Sequence, residues 1–146
     1  MPASPRLLIV EDSFLVLLTI EGMCEDLGWK IVGPATRLDE ALILARTENF
    51  DAALLDVNLD GEMSWEVAEV LKTRGIPFTF STGYDHATIL PTHLANADVI
   101  TKPYRVDELE RRVRQMITVN SRAIVTPLRV RFKIMLWDFM ILRCVW

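Results

Sequence analysis

Short apolar runs alternate with longer stretches whose apolar residues recur every three or four positions, and the alternation persists to about residue 120. The short runs span residues 7–10, 31–32, 52–55, 78–80 and 99–100 and mostly lack polar alternation, as strands buried on both faces do. Between them, Leu17, Ile20, Cys24 and Leu27 step at helical spacing. Leu38, Ala41, Leu42 and Ala45 do the same after a capping box at Thr36 and Asp39. Val67, Val70 and Leu71 mark a third helix ending near Gly75. A short helix is expected over residues 86–90, cut off by Pro91. The last helix carries Val106, Leu109, Val113, Met116 and Ile117 on one stripe, with Arg111, Arg112 and Arg114 off it on a solvated face. Strict alternation of five strands and five helices predicts an α/β, doubly wound, five-stranded parallel sheet with helices on both faces. The compact form of that architecture has strand order 2-1-3-4-5, with its ligand site at the carboxyl ends of the strands, near the switch between strands 1 and 3.

Composition narrows the class without changing the fold. The 146 residues are 51% hydrophobic and 25% charged, which is globular and sufficient for one domain with its own core. Two cysteines, Cys24 and Cys144, lie far apart with no CxxC pair, which fits a reducing, cytoplasmic setting and argues against a zinc module. His86 and His93, unaccompanied by such a cluster, read as surface residues. The first six residues contain no secretory signal. The net charge of −4 divides unevenly: residues 1–120 carry 11 basic and 19 acidic side chains, whereas residues 121–146 carry five basic and one acidic. The acidic body is a poor surface for nucleic acid, which demands a basic face. Trp29 and Trp65 are expected to cover helix faces rather than stack on bases. Two regions follow: a domain over 1–120 and an apolar, basic extension over 121–146.

The polar residues that follow each strand share one end of this topology. They are Glu11 and Asp12 after the first strand, Asp56 after the third, Ser81 and Thr82 after the fourth, and Thr101 and Lys102 after the fifth. The loop after the second strand offers only Gly33 and Pro34. Three carboxylates held together resist ionising without a compensating cation, and hard oxygen donors of this kind suit Mg²⁺. Lys102 supplies a mobile positive charge for a phosphoryl oxygen and Thr82 a hydroxyl. These are the parts needed to form and stabilise an acyl phosphate on an aspartate.

With these residues in order, residues 5–119 resemble the receiver domain of two-component response regulators. The resemblance rests on Glu11-Asp12 in IVEDS, Asp56 in LLDVNLDG, Thr82 in FSTGY, and Lys102-Pro103 in ITKPY. The segment PFTFSTGY is further similar to the PFxFATGY subgroup of single-domain receivers, with Ser81 where that motif has alanine. The resemblance implies a flavodoxin-like receiver fold and a phosphoacceptor signalling protein rather than an enzyme. Asp56 would take the phosphoryl group from a sensor histidine kinase. Glu11, Asp12, Asp56 and the backbone carbonyl of Asn58 would hold Mg²⁺, while Thr82 and Lys102 contact the phosphoryl oxygens. The Lys102–Pro103 bond is cis in such domains. The family's aromatic switch position is here Val99, so the resemblance shifts the switch to Thr82, Gly83 and Tyr84, with Pro103 shaping the lysine loop. The output would be a contact with a downstream protein, or drainage of phosphate from the kinase.

Two other classes compete. An aspartate-nucleophile phosphatase-like enzyme also uses carboxylate, magnesium and lysine, but its general acid stands two residues after the nucleophile. Here that residue is Asn58, which cannot act as one. An interaction module that is never phosphorylated would have no need of the complete acid, hydroxyl and lysine set. In the extension, Leu128, Val130, Phe132 and Ile134 alternate with Arg129, Arg131 and Lys133, and residues 135–146 are almost wholly apolar. Its charged residues argue against a transmembrane span; it reads either as an atypical extension of the domain or as an interfacial membrane anchor or self-association element, the last a candidate surface for a homodimer.

Overall fold

In the computed structural model, which describes residues 4–83 and 90–125, the sheet begins with strand β1 (Arg6–Val10), followed by α1 (Phe14–Leu27) and β2 (Lys30–Ala35). Then come α2 (Leu38–Thr47), β3 (Ala52–Asp56), the two-residue strands β4 (Asn58–Leu59) and β5 (Glu62–Met63), and α3 (Trp65–Arg74). The chain continues through β6 (Phe78–Thr82), a 3₁₀ turn at Thr92–Leu94, β7 (Asp98–Thr101) and α4 (Val106–Val125). The five long strands pair in parallel in the order β2-β1-β3-β6-β7, which is the predicted 2-1-3-4-5 pattern. Tyr84, His86, nearly all of the short helix expected over 86–90, and the chain from 126 onward lie outside the described residues.

Successive strand residues face opposite sides of the sheet, and both sides are covered. Leu8, Val10, Ala53, Leu55 and Phe80 pack with Ala41 and Ala45 of α2 and Val67, Ala68 and Leu71 of α3. Leu7, Ile9, Leu54 and Ile100 pack with Leu17, Ile20 and Cys24 of α1 and Leu109, Val113 and Ile117 of α4. This two-sided burial is why the strands read as continuous apolar runs. Trp65 and Phe78 both meet the Phe80 ring edge-on at 5.4 Å. α1 and α3 stop at Gly28 and Gly75, whose left-handed conformations let the following N–H groups of Trp29 and Ile76 donate to Cys24 and Leu71 carbonyls. Arg74 at the end of α3 donates to the Ala45 and Glu48 carbonyls, tying α3 to the end of α2.

Several expectations are corrected. The capping box at Thr36 and Asp39 does not form: α2 is capped at Arg37 with no side-chain cap, and the Glu40 carboxylate accepts the Thr36 N–H at 3.1 Å. Asp39 is one methylene shorter than the glutamate that such a box uses, and its oxygens are taken by Arg37 and the Glu40 N–H. Gly33 and Pro34 are not loop but part of β2, which runs on to Ala35. Proline is tolerated there because β2 is an edge strand, needing donors on one side only. α4 runs on through residue 120 to Val125. Arg112 is not on a free face: it pairs with Asp98 of β7 at 2.6 Å and with Glu108. Trp29 is buried in the core rather than lying over a helix face, with the Arg114 guanidinium 6.0 Å above its ring.

Candidate functional site

Four sequence-predicted residues meet at the carboxyl end of the sheet. β1 and β3 are neighbours, so Glu11 and Asp12, just past β1, stand beside Asp56, the last residue of β3. One carboxylate oxygen of each lies within 4.8 Å of the others. Glu11 is 1% exposed and Asp56 8%, whereas Asp12 is open to solvent. From just past β7, which lies two strands from β3 with β6 between them, Lys102 brings its Nζ to 2.6 Å from Glu11 Oε2 and 3.1 Å from Asp56 Oδ2. Its own N–H donates to the Thr82 carbonyl at 2.7 Å, pinning the lysine loop to β6, and the Lys102–Pro103 bond is cis.

Backbone donors orient the acids. The Ser13 N–H donates to Glu11 Oε1 at 3.0 Å, and the Asn58 N–H to Asp56 Oδ1 at 3.3 Å. The β4–β5 hairpin turns at Asp60 and Gly61, with φ of 52° and 93°, which sends the Asp60 N–H to Asp12 Oδ2 at 3.0 Å. Asn58 Oδ1 accepts the Gly61 N–H at 2.7 Å and closes that turn. The hairpin was not foreseen, although Asp-Gly between short pairing segments is its ordinary signal.

Burial raises the Glu11 pKa to about 7; Lys102 opposes the shift, and the Asp56 charge adds to it. Burial alone would lower the Lys102 pKa, but its bond to Glu11 and the charges of Asp56 and Glu11 outweigh that and carry it upward. One ammonium against three carboxylates leaves an excess of negative charge and a set of hard oxygen donors. Such a set fits a small hard dication such as Mg²⁺.

Other predicted residues are placed differently. Thr82 is buried, but its hydroxyl donates to the Gly83 carbonyl at 2.6 Å rather than to the acids. Val99 is half-buried against the α2–α3 side of the core. Thr101 closes β7 and is exposed. Tyr84 lies outside the described residues. Sequence reasoning passed over Tyr104, two residues beyond the lysine. It is buried among α1 and α4 residues, with its hydroxyl pushed upward in pKa by burial, partly offset by the Ser81 hydroxyl beside it. No helix among the described residues is long and apolar enough to cross a membrane.

Comparison with known proteins agrees with this geometry. Residues 7–114 match the model of the response regulator receiver domain. The chain is 30% identical over 103 residues to the phyllosphere-induced regulator PhyR of Methylorubrum extorquens, covering 68% of this chain and 39% of that protein. A 25% match to the sensory transduction protein LytR of Staphylococcus haemolyticus covers 76% of this chain and 44% of that protein, so the chain spans less than half the length of either relative. Among solved structures, SdrG from Sphingomonas melonis Fr1 is 37% identical, with a TM-score of 0.67 over 76% of this chain and 94% of that one. The receiver domain of sensor histidine kinase PA1611 from Pseudomonas aeruginosa shares the fold at a TM-score of 0.65 and 24% identity, covering 80% of this chain and 99% of that one. That structure contains a magnesium ion in its active-site cleft. The matched region contains the five long strands except Arg6, the first residue of β1, together with the acidic cluster and Lys102, and the chain belongs to the response regulator receiver domain family.

Proposed function

We propose that this receiver accepts a phosphoryl group on Asp56 from a phosphohistidine of a sensor histidine kinase, in a Mg²⁺-dependent reaction, and signals as a single-domain regulator through contact with another protein. The observation that carries the reading is the meeting of Glu11, Asp12 and Asp56 within 4.8 Å, with Lys102 against two of them. A carboxylate oxygen of Asp56 attacks phosphorus, the P–N bond to the donor histidine breaks, and the imidazole leaves with the electron pair. Glu11, Asp12 and Asp56 would hold the metal together with the Asn58 carbonyl, and the metal would supply charge neutralisation to the transferring group. Lys102 exchanges its bond to Asp56 for one to a phosphoryl oxygen, keeping a positive charge where negative charge accumulates. The Thr82 hydroxyl leaves the Gly83 carbonyl to donate to the same group, and that movement is the switch, extending through Gly83 toward Tyr84. We place the receiver domain over residues 1–120, with the last turn of α4 leading into the extension over 121–146. Receiver domains are signalling proteins rather than conventional enzymes, and the cytoplasm is the setting in which a kinase would meet this one.

Incubation with Mg²⁺ and a small acyl-phosphate donor, followed by intact mass measurement, tests the reading. One phosphate is expected on the native chain and none on Asp56→Asn or in excess chelator. Absence of phosphate on the native chain, or persistence on Asp56→Asn, overturns it.

A further inference from the structure

Lys102 reaches Asp56 across an intervening strand. β7, which leads into the lysine, and β3, which ends in the aspartate, are separated by β6, so the spacing of the two side chains depends on what spans β6. The register there is fixed. Ser81 stands opposite Asp56 on one side of β6, and Thr82 stands opposite Thr101 on the other. The Ser81 carbonyl accepts the Val57 N–H at 3.2 Å, and the Thr82 carbonyl accepts the Lys102 N–H at 2.7 Å. Two consecutive residues of β6 therefore hold the aspartate loop and the lysine loop.

A single bond at the Lys102 N–H leaves the lysine loop free to pivot, so its direction depends on a second fixed point. Pro103 is exposed and has no N–H to donate. Tyr104, the next residue, is 8% exposed and packs with Leu17, Ile20 and Cys24 of α1 and Leu109 and Val113 of α4. One side of it still lines a shallow cleft of about 190 Å³ with Leu15, Val16 and Thr19. Packing therefore encloses the ring without closing on every side of it, and a polar contact is left to fix its position.

Ser81 supplies that contact. Phe80 faces the α2–α3 layer, so by strand alternation Ser81 faces the α1–α4 layer, where Tyr104 sits. The Ser81 hydroxyl lies beside the Tyr104 hydroxyl, and the charges of Glu11 and Asp56 also reach that phenol. Ser81 is fully buried, and neither hydroxyl has another partner among the described residues. A buried hydroxyl is costly when unpaired, and each of these two can donate or accept as the other requires.

We propose that Tyr104 is a positioning residue for Lys102: its hydroxyl bonds to that of Ser81, and this contact holds the lysine loop at the distance from Asp56 that phosphoryl transfer requires. The proposal rests on the phosphoacceptor reading of Asp56 and extends it to two residues outside the charged cluster. Neither touches the phosphoryl group. The ring anchors the loop against α1 and α4, and the hydroxyl sets its position relative to β6. Because Thr82 follows Ser81 directly, one strand then places both the lysine and the threonine.

Tyr104→Phe keeps the ring and removes the hydroxyl, and Ser81→Ala removes its partner. The full chain is incubated with Mg²⁺ and a small acyl-phosphate donor, and the rate is followed by intact mass. Each variant should react roughly three- to ten-fold more slowly at saturating Mg²⁺, the loss that one hydrogen bond accounts for. The Mg²⁺ concentration giving half the maximal rate should stay the same. The double variant should be no slower than the slower single variant, because both changes remove one contact. Thr79→Val, two residues earlier on the same face of β6, should react at the native rate. A native rate in Tyr104→Phe, or a double variant whose losses multiply, overturns the proposal. A matching rise in the Mg²⁺ requirement also overturns it, assigning Tyr104 to general support of the site. Deuterium exchange of the Lys102 amide, read by NMR without Mg²⁺ or donor, separates this proposal from the reading beneath it. Exchange should be several-fold faster in Tyr104→Phe and unchanged in Thr79→Val. If the native chain takes up no phosphate, the phosphoacceptor reading fails, and unchanged exchange in Tyr104→Phe overturns the positioning contact as well.

Discussion

The middle of the sheet and its carboxyl end are equally buried and chemically opposed. Leu8, Leu55, Phe80 and Ile100 are all fully buried, and every one gains from leaving water. One to three residues further along the same strands lie Glu11, Asp56, Ser81, Thr82 and Lys102, at nearly the same depth, and four of the five are polar groups under 9% exposed. Burial stabilises the first layer and opposes the second, as the raised proton affinity of Glu11 records. The contrast shows that the apolar layer supplies the stability, while the carboxyl end keeps like charges close together against their own repulsion.

The sharpest way to break the comparison is to remove the centre of the apolar layer. Phe80→Ala deletes a fully buried ring that contacts Trp65 and Phe78 edge-on, and should lower the unfolding free energy by about 3–5 kcal/mol in urea titrations. A loss below about 1 kcal/mol would mean that the layer is not the main source of stability.

The carboxyl end should respond to pH instead. Glu11 binds its proton more tightly folded than unfolded, so between pH 4.5 and about 7 the folded state holds more protons. Stability from this group is therefore present at low pH and declines as pH rises through that window, by roughly 3 kcal/mol in total. In metal-free buffer, Glu11→Gln should remove that decline and exceed the native chain in stability at pH 8. Parallel pH profiles for the two proteins would refute the origin of the effect in Glu11.

A smaller effect lies inside the apolar layer itself. Thr79 is fully buried between β3 and β7, and its hydroxyl has no partner among the described residues. Thr79→Val keeps the shape and removes the unpaired group, so the unfolding free energy should rise by about 1 kcal/mol. A fall would show that the hydroxyl is bonded.

The smallest effect is expected at the surface. Arg37 and Asp39 form a 2.9 Å ion pair with side chains 76% and 66% exposed, where solvent screens the charge. Arg37→Ala should shift stability by less than about 0.5 kcal/mol, in contrast to the sheltered Lys102 pairs. A larger loss would erase the distinction between buried and exposed charge on which the comparison rests.

Much of this was written in the chain order. Apolar runs at residues 7–10, 52–55 and 78–80 became β1, β3 and β6 because both faces of each are covered, and two-sided burial removes polar alternation. The glycine ends of α1 and α3 are likewise local, since a left-handed residue must stop a helix wherever it occurs. Strand alternation also determined that Glu11, Asp12, Asp56 and Lys102 share one edge of the sheet, as parallel strands all end on the same side. What remained unread depends on distances between parts remote in sequence. The capping box failed because Arg37 and the backbone of the first turn took the Asp39 oxygens. The run of β2 through Gly33 and Pro34 follows from its place at the edge, which single-strand patterns do not record. Only the folded chain decided that Lys102 lies between Glu11 and Asp56, that the Asp60 N–H steadies Asp12, and that the Thr82 hydroxyl faces Gly83. Hydrogen bonds and ion pairs are satisfied within a few tenths of an ångström, and that precision comes from packing the whole sheet, not from the order of residues along any one strand.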